Sequence, residues 1–239
     1  MDGDQTAESG TQPTRCRRLH WWIVGGVAVV VVLAVAGPFI YIHLIEVPAP
    51  ARLTLPGTSK GSATPSGSSE SGSLAGTWAV GPGSVVGYRV QEVLIGQNAT
   101  AVGRTSTVSG SVAITGTTVT VTVDIASVKS DQSQRNAQFD GRIMDLATYP
   151  TATLRLTGPI SLGSVPALGS EVSYTDTGSL TMHGVTRSVS LPVPAERTAT
   201  GIAVLADIPI AFPDWHIANP SVGGFVTTAN TGTLEVLLL

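Results

Sequence analysis

Cysteine and histidine are scarce in this sequence of 239 residues, which contains one cysteine and four histidines. Cys16 has no partner for an intramolecular disulfide, and so small a set of ligands does not make a structural zinc site. Basic residues number 13 and the formal net charge is −3, so no broad positive field is available to bind a phosphate backbone. The composition therefore indicates no metal site, no cofactor and no nucleic-acid partner.

Charged residues are also few, at 12% of the chain, and they are absent from one long apolar stretch. The 22 residues from Trp21 to Ile42 carry no charge. As a helix they would extend roughly 33 Å, enough to cross a hydrocarbon layer about 30 Å thick. Arg15, Arg17 and Arg18 precede the stretch, which favours a cytoplasmic N-terminus. We therefore expect a single-pass cell-membrane protein with a cytoplasmic tail (1–20), a transmembrane helix (21–45) and an extracytoplasmic remainder.

The alternative interpretation of this stretch is a cleaved signal peptide. Residues Ala34-Val35-Ala36 resemble the small-residue pattern of a cleavage site. The apolar run continues past them to Ile42, which makes it longer than an ordinary signal core and favours an anchor that is retained.

Residues 46–75 contain four prolines among many serines, glycines and threonines, and they show no apolar periodicity. This composition predicts a flexible linker. Gly57–Gly61 matches the G-x-S-x-G pattern of hydrolase nucleophiles, but that serine requires a strained turn between a strand and a helix. We interpret the match as a chance occurrence.

The remaining residues, 76–239, alternate apolar and polar side chains in many short segments. The clearest segment is Thr118–Ile125, in which alternate residues are valine or isoleucine and would share one face of a strand. Similar alternation recurs at residues 108–114, 152–156, 189–193, 202–210 and 234–238. Glycine-containing turns separate sequential strands, which predicts an all-β antiparallel barrel or sandwich of about eight strands.

Two intervals lack this alternation. In residues 130–149, three apolar residues have helical spacing and predict a short helix or two that cap one end of the barrel: Phe139, Ile143 and Leu146. Residues 212–224 contain the cluster Asp214-Trp215-His216, which we expect either at the barrel mouth or in a loop that closes the last strand.

Several segments of residues 76–239 resemble the YceI-like family. The most specific is Gly178–Thr186, and five others also fit: Gly76–Val80, Ser84–Val90, Arg135–Asp140, Tyr149–Leu154 and Gly232–Glu235. Members of that family are similar to lipocalins in shape, with an elongated eight-stranded antiparallel barrel whose apolar lumen holds a polyisoprenoid or another long-chain lipid. The resemblance implies a binding protein rather than an enzyme.

By this resemblance, the domain would sequester or carry a long-chain amphiphile, a polyisoprenoid by analogy, without covalent chemistry. The inward side chains are small and apolar, which leaves room in a barrel that larger side chains would fill. We expect ten of them to line the lumen: Val119, Val121, Val123, Leu154, Leu156, Leu180, Val189, Leu191, Val204 and Ile208. We expect four aromatic residues to shape its mouth: Trp78, Tyr88, Phe139 and Trp215.

Two positions depart from the family's pattern. Gly83 precedes Ser84 where the family usually has histidine, and Asn136 follows Arg135 where aspartate is common. Where such polar groups orient a ligand headgroup, these differences bear on which headgroup the chain accepts.

Two other functions compete with lipid binding. A solid-cored β-module, whose valines simply pack together, would present its surface to a protein or an envelope polymer. An esterase-like enzyme would need a nucleophile and a base, and the sequence offers no convincing pair. His183 precedes Gly184 in a predicted hairpin turn, where we expect it to hydrogen-bond to the backbone.

Overall fold

The computed structural model describes residues 26–34, 36, 48–59, 77–113, 119–156 and 167–239. The chain divides into two units, residues 1–48 and 49–239. In the first unit, residues 26–34 and 36 are helical, and the rest of the predicted membrane segment lies outside the described residues. Within the described part of the chain, no helix combines the length and the apolar character that crossing a membrane requires.

Among the residues that the structure describes, the second unit contains eleven strands, all paired antiparallel in one sheet. They are β1 (Thr77–Ala79), β2 (Val85–Leu94), β3 (Gln97–Thr105), β4 (Val108–Ala113), β5 (Val119–Asp124), β6 (Lys129–Ser130), β7 (Thr151–Leu156), β8 (Glu171–Met182), β9 (Val185–Arg197), β10 (Ile202–Ala211) and β11 (Val226–Leu238). Their order in the sheet is β1-β4-β5-β7-β8-β9-β10-β11-β2-β3-β6.

The strand order shows that the sheet curls on itself. Strands β3 and β4 are joined by only residues 106–107, yet seven strands separate them in the sheet. So short a connection brings the two ends of the sheet together, and the intervening strands must curve around a common interior. The all-β antiparallel prediction is therefore confirmed as a curled sheet.

The sheet has eleven strands rather than the predicted eight. One of the additional strands is β6, a short strand of two residues at an edge of the sheet. Strand β3 was not predicted because its inward positions include Ala101 and Gly103, whose small side chains give little alternation of hydropathy. The glycine-containing segments Gly81-Pro82-Gly83 and Thr200-Gly201 lie between strands, as the sequence pattern predicts.

The predicted helical interval forms a short helix at one end of the sheet. Helix α1 (Ser133–Gln138) continues into a π-helical turn, Phe139–Ile143. Phe139, Ile143 and Leu146, the residues with helical spacing, all pack against the hydrophobic core. We call the end of the interior that this helix contacts the helix end.

Residues 49–59, here called the strap, lie against the outer face of the sheet. Arg89 of β2 donates a hydrogen bond of 2.7 Å to the carbonyl oxygen of Pro50, and Arg104 of β3 donates one to that of Ala51. The sequence predicts a flexible linker here, and residues 60–75 of that linker lie outside the described residues. The strap differs from the prediction because distant strands supply donors for its carbonyl groups.

The far end of the strap is also fixed to the sheet. Leu55 is buried, with 2% of its surface exposed, and the amide of Gly57 donates a 2.9 Å hydrogen bond to the carboxylate of Glu196. Ala203 pairs with Glu196 across β9 and β10 and is also buried although its side chain points outward. The strap thus crosses the outside of several strands.

Beneath the strap, Glu235 forms an ionic cluster with Arg89 and Arg104. The Nε atom of Arg89 lies 2.6 Å from one carboxylate oxygen, and a terminal nitrogen of Arg104 lies 2.9 Å from the other. The carboxylate side chain is 0% exposed. Burial alone would raise the pKa of Glu235, but the hydrogen bonds and positive charges of both arginines outweigh burial and lower it.

Candidate functional site

The inner face of the curled sheet is apolar because alternate residues of each strand point to it. In β11, Leu234 and Val236 face inward, whereas Glu235 between them faces the strap. In β5, Val121 and Val123 face inward and are buried. Most inward residues are valine, leucine, isoleucine or alanine, and these side chains leave part of the interior unfilled.

The interior contains two adjoining apolar cavities. The smaller has a volume of about 170 Å³ and lies at the helix end, where Phe139, Ile143 and Met144 contribute to its wall. The larger, of about 690 Å³, lies toward the opposite end, beside Trp78 and Leu239. Their walls share three residues: Val121, Leu154 and Val236. The two cavities therefore meet at a waist that these three side chains form.

Most of the predicted lumen residues lie in these walls. Val123, Leu180 and Ile208 line the small cavity; Leu156, Leu191 and Val204 line the large one; Val121 and Leu154 line both. Val189 belongs to the core but borders neither cavity. Val119 lies in β5, with its side chain outside the described part of the structure.

The four predicted aromatic residues are divided among three places. Trp78 lines the large cavity, whereas Tyr88 and Phe139 line the small one and stack with ring centroids 5.1 Å apart. Trp215 is 3% exposed and packs in the core, where the 3₁₀ turn Phe212–Trp215 follows β10. Its side chain lines neither cavity, so the cluster at residues 214–216 is a loop that leads toward the last strand.

Two charged side chains lie in the wall of the small cavity. Arg135 of α1 and Glu92 of β2 both border it, and they form an ion pair of 3.0 Å. Asp131 lies 2.6 Å from another nitrogen of Arg135. Burial alone would lower the pKa of Arg135, but both carboxylates raise it, so the guanidinium stays charged. This arrangement, here called the polar end, sets a fixed charge pair beside an apolar space.

Tyr88 also belongs to the polar end. Burial, the largest influence, raises the pKa of its phenol to about 12, although the charge of Arg135 acts in the opposite direction. The phenol is therefore neutral near pH 7 and can donate or accept a hydrogen bond. The sequence could not identify Glu92 as a partner of Arg135, because the two residues lie 43 positions apart in the chain.

The predicted role of His183 is confirmed. It occupies a hairpin turn between β8 and β9 with a φ of 50°, and its Nδ1 atom lies 3.0 Å from the carbonyl oxygen of Trp215. Its ring also packs against Tyr149. Among the residues that the structure describes, no three histidine, cysteine or carboxylate side chains are grouped as metal ligands.

Comparison with known proteins identifies the domain. Residues 78–238 match the model of the YceI-like domain. The structure is similar to that of a polyisoprenoid-binding domain from Saccharophagus degradans implicated in plant cell wall breakdown, with a TM-score of 0.55 and 17% identity over 65% of this chain and 95% of that one. At this identity the similarity shows a shared fold.

Two further structures show weaker similarity. Burkholderia cenocepacia BcnA is 24% identical, with a TM-score of 0.47 over 63% of this chain and 94% of that one. A Campylobacter jejuni YCEI protein is 18% identical, with a TM-score of 0.36 over 50% of this chain and 70% of that one. No curated protein matches the sequence.

Proposed function

The chain belongs to the YceI-like domain family, and from this premise we propose that its domain binds a long-chain amphiphile, of the polyisoprenoid class, inside the curled sheet. The observation that carries the proposal is the pair of adjoining apolar cavities, of about 170 and about 690 Å³. Transfer of an apolar chain into such a space gains roughly 25 cal/mol for each Å² removed from water.

The geometry also supports an orientation for the ligand. An apolar tail suits the waist and the neighbouring wall of the large cavity, where Leu156, Leu191 and Val204 supply apolar side chains. A polar headgroup suits the polar end, where Arg135, Glu92 and Tyr88 border the small cavity. An apolar tail placed against the Arg135–Glu92 pair would shield these charges from water without offering them a hydrogen bond, whereas a polar headgroup can bond to them, so the pair favours one direction of insertion.

The same proposal includes location. The apolar stretch at residues 21–42 and the arginines before it support an N-terminal membrane anchor, a cytoplasmic N-terminus and an extracytoplasmic domain. A binding protein tethered in this way would take up and release lipid without leaving the membrane. The similar Saccharophagus degradans domain, which is described as polyisoprenoid-binding, adds support for the ligand class.

A solid-cored interaction module is disfavoured by the cavities, because its valines would fill the interior. Val121→Trp distinguishes the two functions, since an indole at the waist would fill empty space in a hollow domain but overpack a solid one. We expect the variant to fold and to lose displacement of a fluorescent fatty-acid probe by a polyprenol. Thr122→Trp, on the outward face of the same strand, serves as the control and should bind normally.

A Val121→Trp variant that unfolds while Thr122→Trp remains folded would support the solid-cored module. A folded Val121→Trp variant that binds polyprenol as well as the unmodified protein does would also refute the proposed site.

A further inference from the structure

Three large apolar side chains are exposed together at the helix end of the sheet. Phe225 is 67% exposed, Val222 is 49% and Ile95 is 47%. They lie on two neighbouring loops, the β2–β3 turn and the loop before β11, and the amide of Ile95 donates a 2.8 Å hydrogen bond to the carbonyl oxygen of Phe225. We call these three residues the apolar tip.

The apolar tip contains a residue that is poorly suited to its backbone conformation. Ile95 has a φ of 49° in the turn that Gly96 completes. Such hairpin turns favour asparagine, aspartate or glycine, because a β-branched side chain clashes with the backbone at positive φ. An isoleucine that is both strained and exposed contributes nothing to packing, and such outliers often mark functional positions.

The apolar tip adjoins the small cavity. Pro220, in the same loop as Val222 and Phe225, lines that cavity, and so does Thr228 just after the loop. Asn219 ties the loop to the start of β11 through a 3.0 Å hydrogen bond to the carbonyl oxygen of Thr228. Arg142 of the π-helical turn donates a 3.0 Å hydrogen bond to the carbonyl oxygen of Pro220. The exposed apolar residues thus stand on a braced loop beside one end of the interior.

From these observations we propose that the apolar tip inserts into the surface of a lipid bilayer and places the helix end of the cavity against the membrane. Exposed apolar loops beside an apolar cavity are suited to a bilayer surface, where their side chains leave water without requiring a shaped protein partner. Arg142, which is exposed beside the loop, suits the negatively charged headgroup region. The proposal goes beyond the proposed lipid binding and can be tested without a bound ligand.

A depth measurement on the full chain tests membrane contact directly. A nitroxide is placed at Val222→Cys or, as a matched control, at Leu168→Cys, both in a Cys16→Ser background; the two native side chains are each 49% exposed. The protein is reconstituted in vesicles of phosphatidylcholine and phosphatidylglycerol. We expect the label at 222 to collide more with oxygen than with a water-soluble nickel chelate, and the label at 168 to show the reverse.

Equal, water-like accessibility at both positions would overturn the proposal. A label at 222 that is already immobilised in detergent, before any vesicle is present, would also overturn it, because it would show that a protein surface covers the apolar tip.

A transfer measurement tests what the contact does. The double variant Ile95→Asn/Phe225→Ser should take up a fluorescent polyprenyl probe from vesicles at least about tenfold more slowly, since it buries less apolar surface in the bilayer. Its equilibrium affinity for the probe added from detergent should not change, and Leu168→Ser should transfer normally. An unchanged transfer rate in the double variant would contradict the proposal. If the unmodified protein does not bind the probe at equilibrium, that result would contradict the proposed function instead.

Discussion

The two faces of strand β11 serve opposite purposes. On the inner face, Leu234 and Val236 border cavities that protein atoms do not fill. On the outer face, Glu235 is 0% exposed and bonded to two arginines beneath the strap. The comparison shows how an antiparallel sheet can separate stability from binding: period-two alternation directs one set of side chains to a loosely filled interior and the other to a buried ionic cluster.

The largest expected effect is the loss of stability when the ionic cluster on the outer face is disrupted. Glu235→Ala leaves Arg89 buried without its carboxylate partner, so the free energy of unfolding should fall by about 3–5 kcal/mol. Probe binding inside the sheet should change little where the variant remains folded. Urea denaturation measures the first effect and probe titration the second.

Asp207→Ala is the matched control for this prediction. Asp207 is the cross-strand partner of Glu235, but its ion pair with Arg52 is exposed and should contribute at most about 1 kcal/mol. Because the pKa of Glu235 is lowered, its stabilising contribution is present above the ordinary pKa of 4.5 and is lost as pH falls through the lowered value. Similar losses in both variants, or an unchanged acid sensitivity in Glu235→Ala, would contradict this account of the ionic cluster.

The next largest effect is the alkaline pH dependence of stability, which arises from Tyr88 at the polar end. The pKa of Tyr88 is raised from 10.0 to about 12, so the folded state keeps a proton that the unfolded state loses over this range. Stability should therefore decrease by at most about 2 to 3 kcal/mol as pH rises between these values. Tyr88→Phe should remove most of this dependence in denaturation curves, and an equally steep alkaline loss in that variant would assign it to another group.

A smaller effect is expected from a substitution that weakens only the attachment of the strap to the sheet. Leu55→Ala removes most of a buried side chain and should weaken strap binding by about 2 kcal/mol. Because Gly57 donates its amide hydrogen to Glu196, hydrogen exchange at that amide should accelerate while exchange in β11 stays slow. Acceleration throughout the sheet would show that the strap is part of one cooperative unit.

The smallest effect increases stability. Ile95→Asn replaces a β-branched residue at positive φ by one that tolerates this conformation, and it should raise the free energy of unfolding by about 1 kcal/mol. Urea denaturation against the unmodified protein measures the change. A loss of stability would show that Ile95 contributes to packing, which would weaken its assignment to the apolar tip.

Sequence periodicity was sufficient for the inner face but not for the outer one. Thr120 and Thr122 alternate with valines in β5, and this local pattern sets the inward direction of Val121 and Val123. The strap shows no such pattern. Its position depends on Arg89 and on other charged residues that are distant in the chain, and only folding brings them together.

Periodicity also could not establish that the interior is hollow. Alternation indicates which side chains point inward, but whether they touch depends on the curvature of eleven strands. Arg135 was noted only through the family resemblance. Its partner Glu92 was not predicted, because neither residue carries a local signal for the other.

Native mass spectrometry of the full chain mixed with a polyprenol tests the central claim most directly. If the curled sheet encloses a lipid site, the spectrum should show one added polyprenol per chain, and Val121→Trp should abolish the adduct while Thr122→Trp retains it. A spectrum with only the mass of the protein at saturating polyprenol, or an adduct that persists equally in both variants, would contradict the claim.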